Sequence, residues 1–194
     1  MKLTIFLALT SFCMGCVVAE PAETLETPSV PTVPEEHLKT EVPEGWVPIL
    51  NSQSKNLLIA EYIPPDSPDP WLQKLSIEAM SGDHLPDPLE FTNSWALEQS
   101  EICEAFEDLP IYSGFENGYP TIVRMLICGK NKRTGKPLVT MVKVIRGNES
   151  LYTITRIWRL EQLPPPEVEI ASWSVALRKT IACDPDLSAH PCPE

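Results

Sequence analysis

Residues 111–160 read IYSGFENGYPTIVRMLICGKNKRTGKPLVTMVKVIRGNESLYTITRIWRL, and the fold turns on this stretch. Four segments in it, 111–115, 119–128, 138–146 and 151–160, are rich in β-branched and aromatic residues that repeat at period two, the mark of strands. Glu116-Asn117-Gly118, the polar run from Lys130 to Lys136, and Gly147-Asn148-Glu149 separate them. Connections this short join antiparallel neighbours.

Working outward, residues 46–51 and 56–63 read as a hairpin about the polar turn Ser52-Gln53-Ser54-Lys55. The proline-rich run from Pro64 to Pro70 forbids regular structure. Residues 71–80 then form a third strand, with Leu75, Ile77 and Ala79 on one face. Asp87-Pro88-Leu89-Glu90 is a helix start: Asp caps free N–H groups, Pro has no N–H to waste, and Glu completes the capping box. Phe91, Trp95, Ile102 and Phe106 follow as its apolar stripe, while Glu98, Glu101 and Glu104 read as a solvated face rather than a cation site. The triplet Pro164-Pro165-Pro166 stops the last strand, and a second helix over 167–182 buries Ile170, Trp173, Leu177 and Ile181. Three strands, a helix, four strands and a helix make an α+β fold: a single antiparallel sheet of about six to seven strands with helices packed on it.

This order resembles the PsbP-like sandwich, which includes DcrB-like lipoproteins of bacterial envelopes. The resemblance runs from Gly45 to Cys183. It rests on Pro43-Glu44-Gly45-Trp46, on the strand closing in Tyr62-Ile63-Pro64, on Ile145-Arg146-Gly147-Asn148 leading into Leu151-Tyr152, and on the last helix around Trp173. The proline triplet and the tail cysteines depart from the family's usual run. What the resemblance implies is the architecture of an exported or envelope protein, with function following only by analogy.

The chain has 194 residues, enough for one domain with flanking segments, and a net charge of −12. Nucleic-acid binding draws its affinity from a basic surface, so this balance argues against it. Lys2, the apolar run over residues 3–12, and the small residues Gly15 and Ala19 read as an export signal over 1–19, cut after Ala19. The alternative is lipidation of Cys16 as the mature N-terminus. Seven Glu and five Pro over 20–44 describe an extended acidic tether, leaving 45–194 as the single domain. Either cut leaves Cys103, Cys128, Cys183 and Cys192, an even set that suits disulfides in an exported chain. Three connectivities exist; closeness in sequence favours Cys103–Cys128 and Cys183–Cys192, the second pinning the tail.

Residues that carry chemistry are scarce. His37 lies in the tether, His84 in the loop Ser81-Gly82-Asp83-His84 and His190 in the tail; all three read as solvated loop residues, and none sits in a metal-ligand pattern. Asp83 beside His84 is the one pair suited to general-base work, without a serine motif to accompany it. Gly129 to Pro137 imitates a phosphate loop, but five residues separate its glycines and Pro137 follows Lys136. Its four cations, Lys130, Lys132, Arg133 and Lys136, nevertheless mark a candidate contact for an acidic partner or an anionic membrane surface. Asn148-Glu149-Ser150 is a sequon of the kind that arises by chance. Among the tryptophans, Trp95, Trp158 and Trp173 read as core, and Trp71 beside the proline loop as a candidate contact residue.

The sequence therefore points to an exported, periplasmic or lipid-anchored, non-enzymatic binding or assembly accessory, with no cofactor and no metal. A small-ligand binder with a pocket between sheet and helix is the alternative, and a hydrolase using Asp83 and His84 a distant third. Intact mass of the protein from its native cell separates the processing routes: cleavage after Ala19 leaves Glu20 free, whereas lipidation leaves a heavier chain beginning at Cys16. In either case four hydrogens are expected to be missing relative to a chain with Cys103, Cys128, Cys183 and Cys192 reduced.

Overall fold

The computed structural model describes residues 36–67, 72–164 and 167–193. The residues expected to form the export signal, Cys16, most of those expected to form the tether, and the candidate contact Trp71 lie outside them. The elements are β1 (His37–Lys39), β2 (Val47–Gln53), β3 (Leu57–Ile63), β4 (Gln73–Ser81), α1 (Pro88–Glu101), β5 (Cys103–Glu116), β6 (Tyr119–Asn131), β7 (Leu138–Arg146), β8 (Ser150–Arg159), α2 (Glu167–Lys179) and β9 (Ile181–Cys183). Seven of the strands form one antiparallel sheet in the order β2-β3-β4-β8-β7-β6-β5. The chain lays down one meander, crosses through α1 to the far edge, and returns strand by strand until β8 meets β4. The expected α+β sheet with packed helices is therefore present, and β1 and β9 add a second, two-stranded sheet that the sequence reading lacked.

Alternation along the central strands assigns each helix a face. On β7, Val139, Met141 and Ile145 join Leu75, Tyr152, Ile154 and Trp158 in the core beneath Trp173 and Leu177 of α2. Val142 and Val144 face the other way, packing with Leu85, Leu151, Phe91 and Trp95 on the α1 side. With a helix on each face, the seven interior residues of β7 are all buried, which explains why it reads as a nearly continuous apolar run.

The helix start at Asp87 is as expected: its carboxylate accepts from the N–H groups of Leu89 (2.8 Å) and Glu90 (3.3 Å), with Pro88 at the first helical position. The expected stripe is too long. α1 ends at Glu101, and Phe106 and Glu104 belong to β5, where they pair with Cys128 and Lys130. The Cys103–Cys128 bridge joins the first residue of β5 to β6, with Cα atoms 5.4 Å apart. Strand pairing and the crosslink thus override a pattern that by itself continues the helix. Ile181 is corrected in the same way, since α2 stops at Lys179 and Ile181 pairs with Lys39.

The tether boundary at Glu44 falls too late. Residues expected to be extended and solvated include β1, and His37, taken for a tether residue, sits in that strand opposite Cys183. Leu38 and Val42 pack on the main core. The Glu36 carboxylate accepts from the Asn148 N–H (2.6 Å) and the Tyr152 hydroxyl (3.0 Å), tying the start of the domain to the β7–β8 turn. Burial, reinforced by Glu36, pushes the Tyr152 phenol well above its usual range.

The tail is held by the expected Cys183–Cys192 bridge and by contacts at the β5–β6 turn. There Asn117 (φ +49°) and Gly118 (φ +80°) form a two-residue hairpin connection with both residues left-handed. Gly118 is required twice over, because a Cβ there meets the His190 ring at 2.6 Å. His190 is accordingly not a solvated loop residue. It stacks on Tyr119 with ring centroids 4.0 Å apart, and its Nδ1 lies 2.8 Å from the Asn117 carbonyl.

Lys143 is the exception in the α2-side core. It is fully buried, and its ammonium donates to the carbonyls of Leu177 and Thr180 at 2.7 Å each and to the Glu116 carboxylate. The last carbonyls of a helix have no intrahelical partner and carry the negative end of its dipole, so this lysine caps α2 from the sheet. Burial lowers its pKa, and Glu116 opposes that shift.

Lys143→Met is expected to destabilise the domain by about 3 kcal/mol in urea unfolding, since it removes the ammonium from the Glu116 carboxylate and the Thr180 carbonyl and leaves the Leu177 carbonyl only the Thr180 N–H at 3.3 Å. Glu116→Gln is expected to cost less, because its side chain is partly exposed and Lys143 keeps both carbonyls. Replacing Cys103 and Cys128 by Ser is expected to cost about 3.5 kcal/mol, and replacing Cys183 and Cys192 about 2.7 kcal/mol, from the loop lengths closed. The reverse order in chemical denaturation contradicts the loop-entropy account.

Candidate functional site

The return of the chain after β8 lays α2 across the middle of the sheet, and a cleft opens on each side of it. Towards β5, Ile111, Tyr112, Val123, Met141 and Leu177 line a cleft of about 400 Å³, with Glu116, Ser174 and Arg178 as its polar members. This lies within the size range of ligand pockets, and its lining is mainly apolar, as theirs is. Ile111 is 52% exposed and Tyr112 38%, a large apolar surface for an edge strand to offer.

Towards β4, a second cleft of about 370 Å³ is lined by Trp46, Gln73, Arg156, Trp158, Glu169 and Trp173, with Pro43, Pro64 and Ser172 at its margins. Arg156 stands on the core-facing side of β8 between Ile154 and Trp158, and is only 7% exposed. Its guanidinium lies 3.8 Å from the Trp46 ring centroid, 5.1 Å from that of Trp158 and 5.6 Å from that of Trp173. Nη2 donates to Gln73 Oε1 at 2.7 Å, and Trp158 Nε1 donates to Glu169 Oε2 at 2.9 Å. Arg156 Nε and Nη1 and the Trp173 indole N–H are buried without an acceptor. Burial lowers the Arg156 pKa to about 10, with Glu169 acting in opposition. A desolvated cation–π contact is worth about 2 kcal/mol. Each unmet buried donor costs about 1–3 kcal/mol, so aromatic stacking does not fully offset what this arginine lacks.

Sequence reasoning missed Arg156 and Lys143, although a signal was there. Each is a charge at an inward position of a strand whose other inward residues are apolar, Tyr152, Ile154 and Trp158 in one case and Val139, Met141 and Ile145 in the other. Charges at such positions are rarely solvated and require a partner.

The residues that were singled out are scattered. In the basic turn, Lys130 pairs with Glu104 (3.1 Å), Lys136 with Glu161 (2.5 Å), and Lys132 donates to the Glu101 carbonyl (2.7 Å) at the end of α1. The last turn of α1 has no basic residue of its own, so Lys132 supplies the cation that a helix C-terminus favours. Arg133 is the member whose guanidinium has no such partner among the described residues. Asp83 and His84 are exposed before α1 and line neither cleft. Glu104 lies in β5, so Glu98, Glu101 and Glu104 do not share a helix face. Among the described residues, no helix is long and apolar enough to cross a membrane.

No family model matches the chain, and neither does any curated protein. Its fold is similar to that of solved structures. The Ran-binding protein Mog1p of Saccharomyces cerevisiae is 14% identical, with a TM-score of 0.50 over 77% of this chain and 95% of that one. LpqN of Mycobacterium tuberculosis, described as involved in cell envelope biogenesis, is 15% identical, with a TM-score of 0.48 over 77% and 84%. PA94 of Pseudomonas aeruginosa, a protein of unknown function, is 15% identical, with a TM-score of 0.41 over 82% and 99%. At these identities the likeness to Mog1p shows a shared α/β sandwich and nothing finer.

Proposed function

We propose that this chain is an exported, non-enzymatic protein of a cell envelope that acts as a binding or assembly accessory, taking an apolar segment of a partner protein between α2 and β5. The carrying observation is the cleft of about 400 Å³ with Ile111 and Tyr112 exposed at its rim. Docking by strand addition is less well supported at either edge. β2 carries Pro48 with an irregular register to Leu50, and β5 carries Pro110 with one to Tyr112. Proline and bulges are the devices that blunt sheet edges, which leaves side-chain docking beside α2 as the better mode.

Two disulfides support export, since such bridges persist in oxidising compartments, and they fit the export signal read from residues 1–19. Mog1p binds Ran, so a sandwich of this shape is compatible with protein binding. Kinship with the PsbP-like family belongs to the same proposal, as does contact of Arg133 with an anionic partner or membrane surface. A small apolar ligand in the cleft is the second reading, favoured by the polar groups Glu116, Ser174 and Arg178 at an otherwise apolar pocket.

A photo-crosslinking amino acid in place of Ile111, in the native cell, is expected to give a discrete heavier adduct. The same probe in place of Leu97, which is 64% exposed on α1, is expected to give none. Identical patterns at the two positions count against the cleft as the docking surface. A bound small molecule in native mass spectra, lost in Met141→Trp, supports the second reading instead.

A further inference from the structure

The cleft on the other side of α2 carries a site of its own, independent of the partner-binding reading. Arg156 has no ion pair among the described residues. Its Nε and Nη1, together with the Trp173 N–H, are three buried donors without acceptors in one place. Glu169, the carboxylate in the same cleft, is engaged by Trp158 Nε1. What the cluster lacks is an acceptor of opposite charge, and unmet guanidinium N–H groups beside an unmet indole N–H suit the oxygens of a carboxylate.

The covering group is Trp46. Its ring lies against the guanidinium at 3.8 Å and is only partly buried. It follows Gly45 (φ +79°), in a turn closed by the Trp46 N–H donating to the Pro43 carbonyl at 3.1 Å. A Cβ at Gly45 would meet nothing within 4 Å, so no neighbouring atom packs against that side of the turn. Swinging the indole aside uncovers the arginine without breaking any hydrogen bond.

We propose that Arg156, with Trp173, is a carboxylate-binding site over which Trp46 acts as a lid. The ligand is a small carboxylate of single charge, because Glu169 already places one negative charge in the cleft. The same chemistry is offered by a free organic acid and by the C-terminal carboxylate of a peptide.

Tryptophan fluorescence and calorimetry with acetate, benzoate, and a tripeptide bearing either a free or an amidated C-terminus test the site. Saturable binding is expected in the wild-type protein, tighter in Trp46→Ala because the lid no longer has to be displaced, and weakened about tenfold or more in Arg156→Gln. Binding of benzoate without the peptide identifies a small-molecule site; binding of the free-acid peptide but not its amide identifies a chain terminus. Trp46 is peripheral, so Trp46→Ala remains measurable if Arg156→Gln fails to fold, and Gln73→Ala then serves as the second variant, expected to alter affinity through Nη2. The proposal is overturned if neither wild type nor Trp46→Ala binds any of these probes up to about 50 mM, which is weaker than the millimolar affinities of simple contacts. It is equally overturned if binding is unchanged in a folded Arg156→Gln, or, where that variant does not fold, in Gln73→Ala.

Discussion

A buried ammonium fastens the second helix to the sheet. Lys143 rises from the centre of β7, the strand enclosed on both faces, and meets the last carbonyls of α2. A lysine there is costly unless every donor is met, and it is met by two carbonyls and the Glu116 carboxylate. The contact is also directional. It sets where along the sheet the C-terminal end of α2 stops, and Thr180 and β9 follow at once. The apolar residues beneath the helix supply most of the attraction, but that force is non-directional and leaves register open.

With the C-terminal end of α2 placed, its first turns fall over β8, where Glu169 takes the Trp158 indole N–H and Trp173 comes to rest beside Arg156. Both clefts are products of this placement. A helix narrower than the seven-stranded sheet covers the middle strands and leaves a strip of the same face open on either side. One strip is apolar because β5 and β6 present Ile111, Tyr112 and Val123 to it; the other is aromatic and charged because β8 presents Arg156 between Ile154 and Trp158. Position in the sheet thus turned one face into two chemically distinct surfaces.

The basic turn shows how charge composition misleads when distances are unknown. Four cations on an acidic chain read as a surface for something foreign, yet three of them answer groups of the chain itself, Glu104, Glu161 and the carbonyl end of α1. Exposed pairs of this kind contribute little stability. They do neutralise the turn, and the hairpin between β6 and β7 carries its cations where the negative end of a helix arrives.

Period-two alternation, turn residues and a capping box were enough to read the α+β class, the strands of the main sheet and the helix start at Asp87, because each reflects local sterics and one-sided burial, which are written along the chain. The two disulfide pairings followed from closeness in sequence. Long-range pairing was not legible. Phe106 and Ile181 sit where helical spacing continues, and only pairing with β6 and β1 moved them into strands. Leu38 and Val42 in an acidic, proline-rich segment carried too little apolar surface to announce that they dock. Arg156 and Lys143 were visible as inward charges on apolar strands, but what each one meets comes from other elements, and a contact between residues far apart in the chain is decided only when the sheet brings them together.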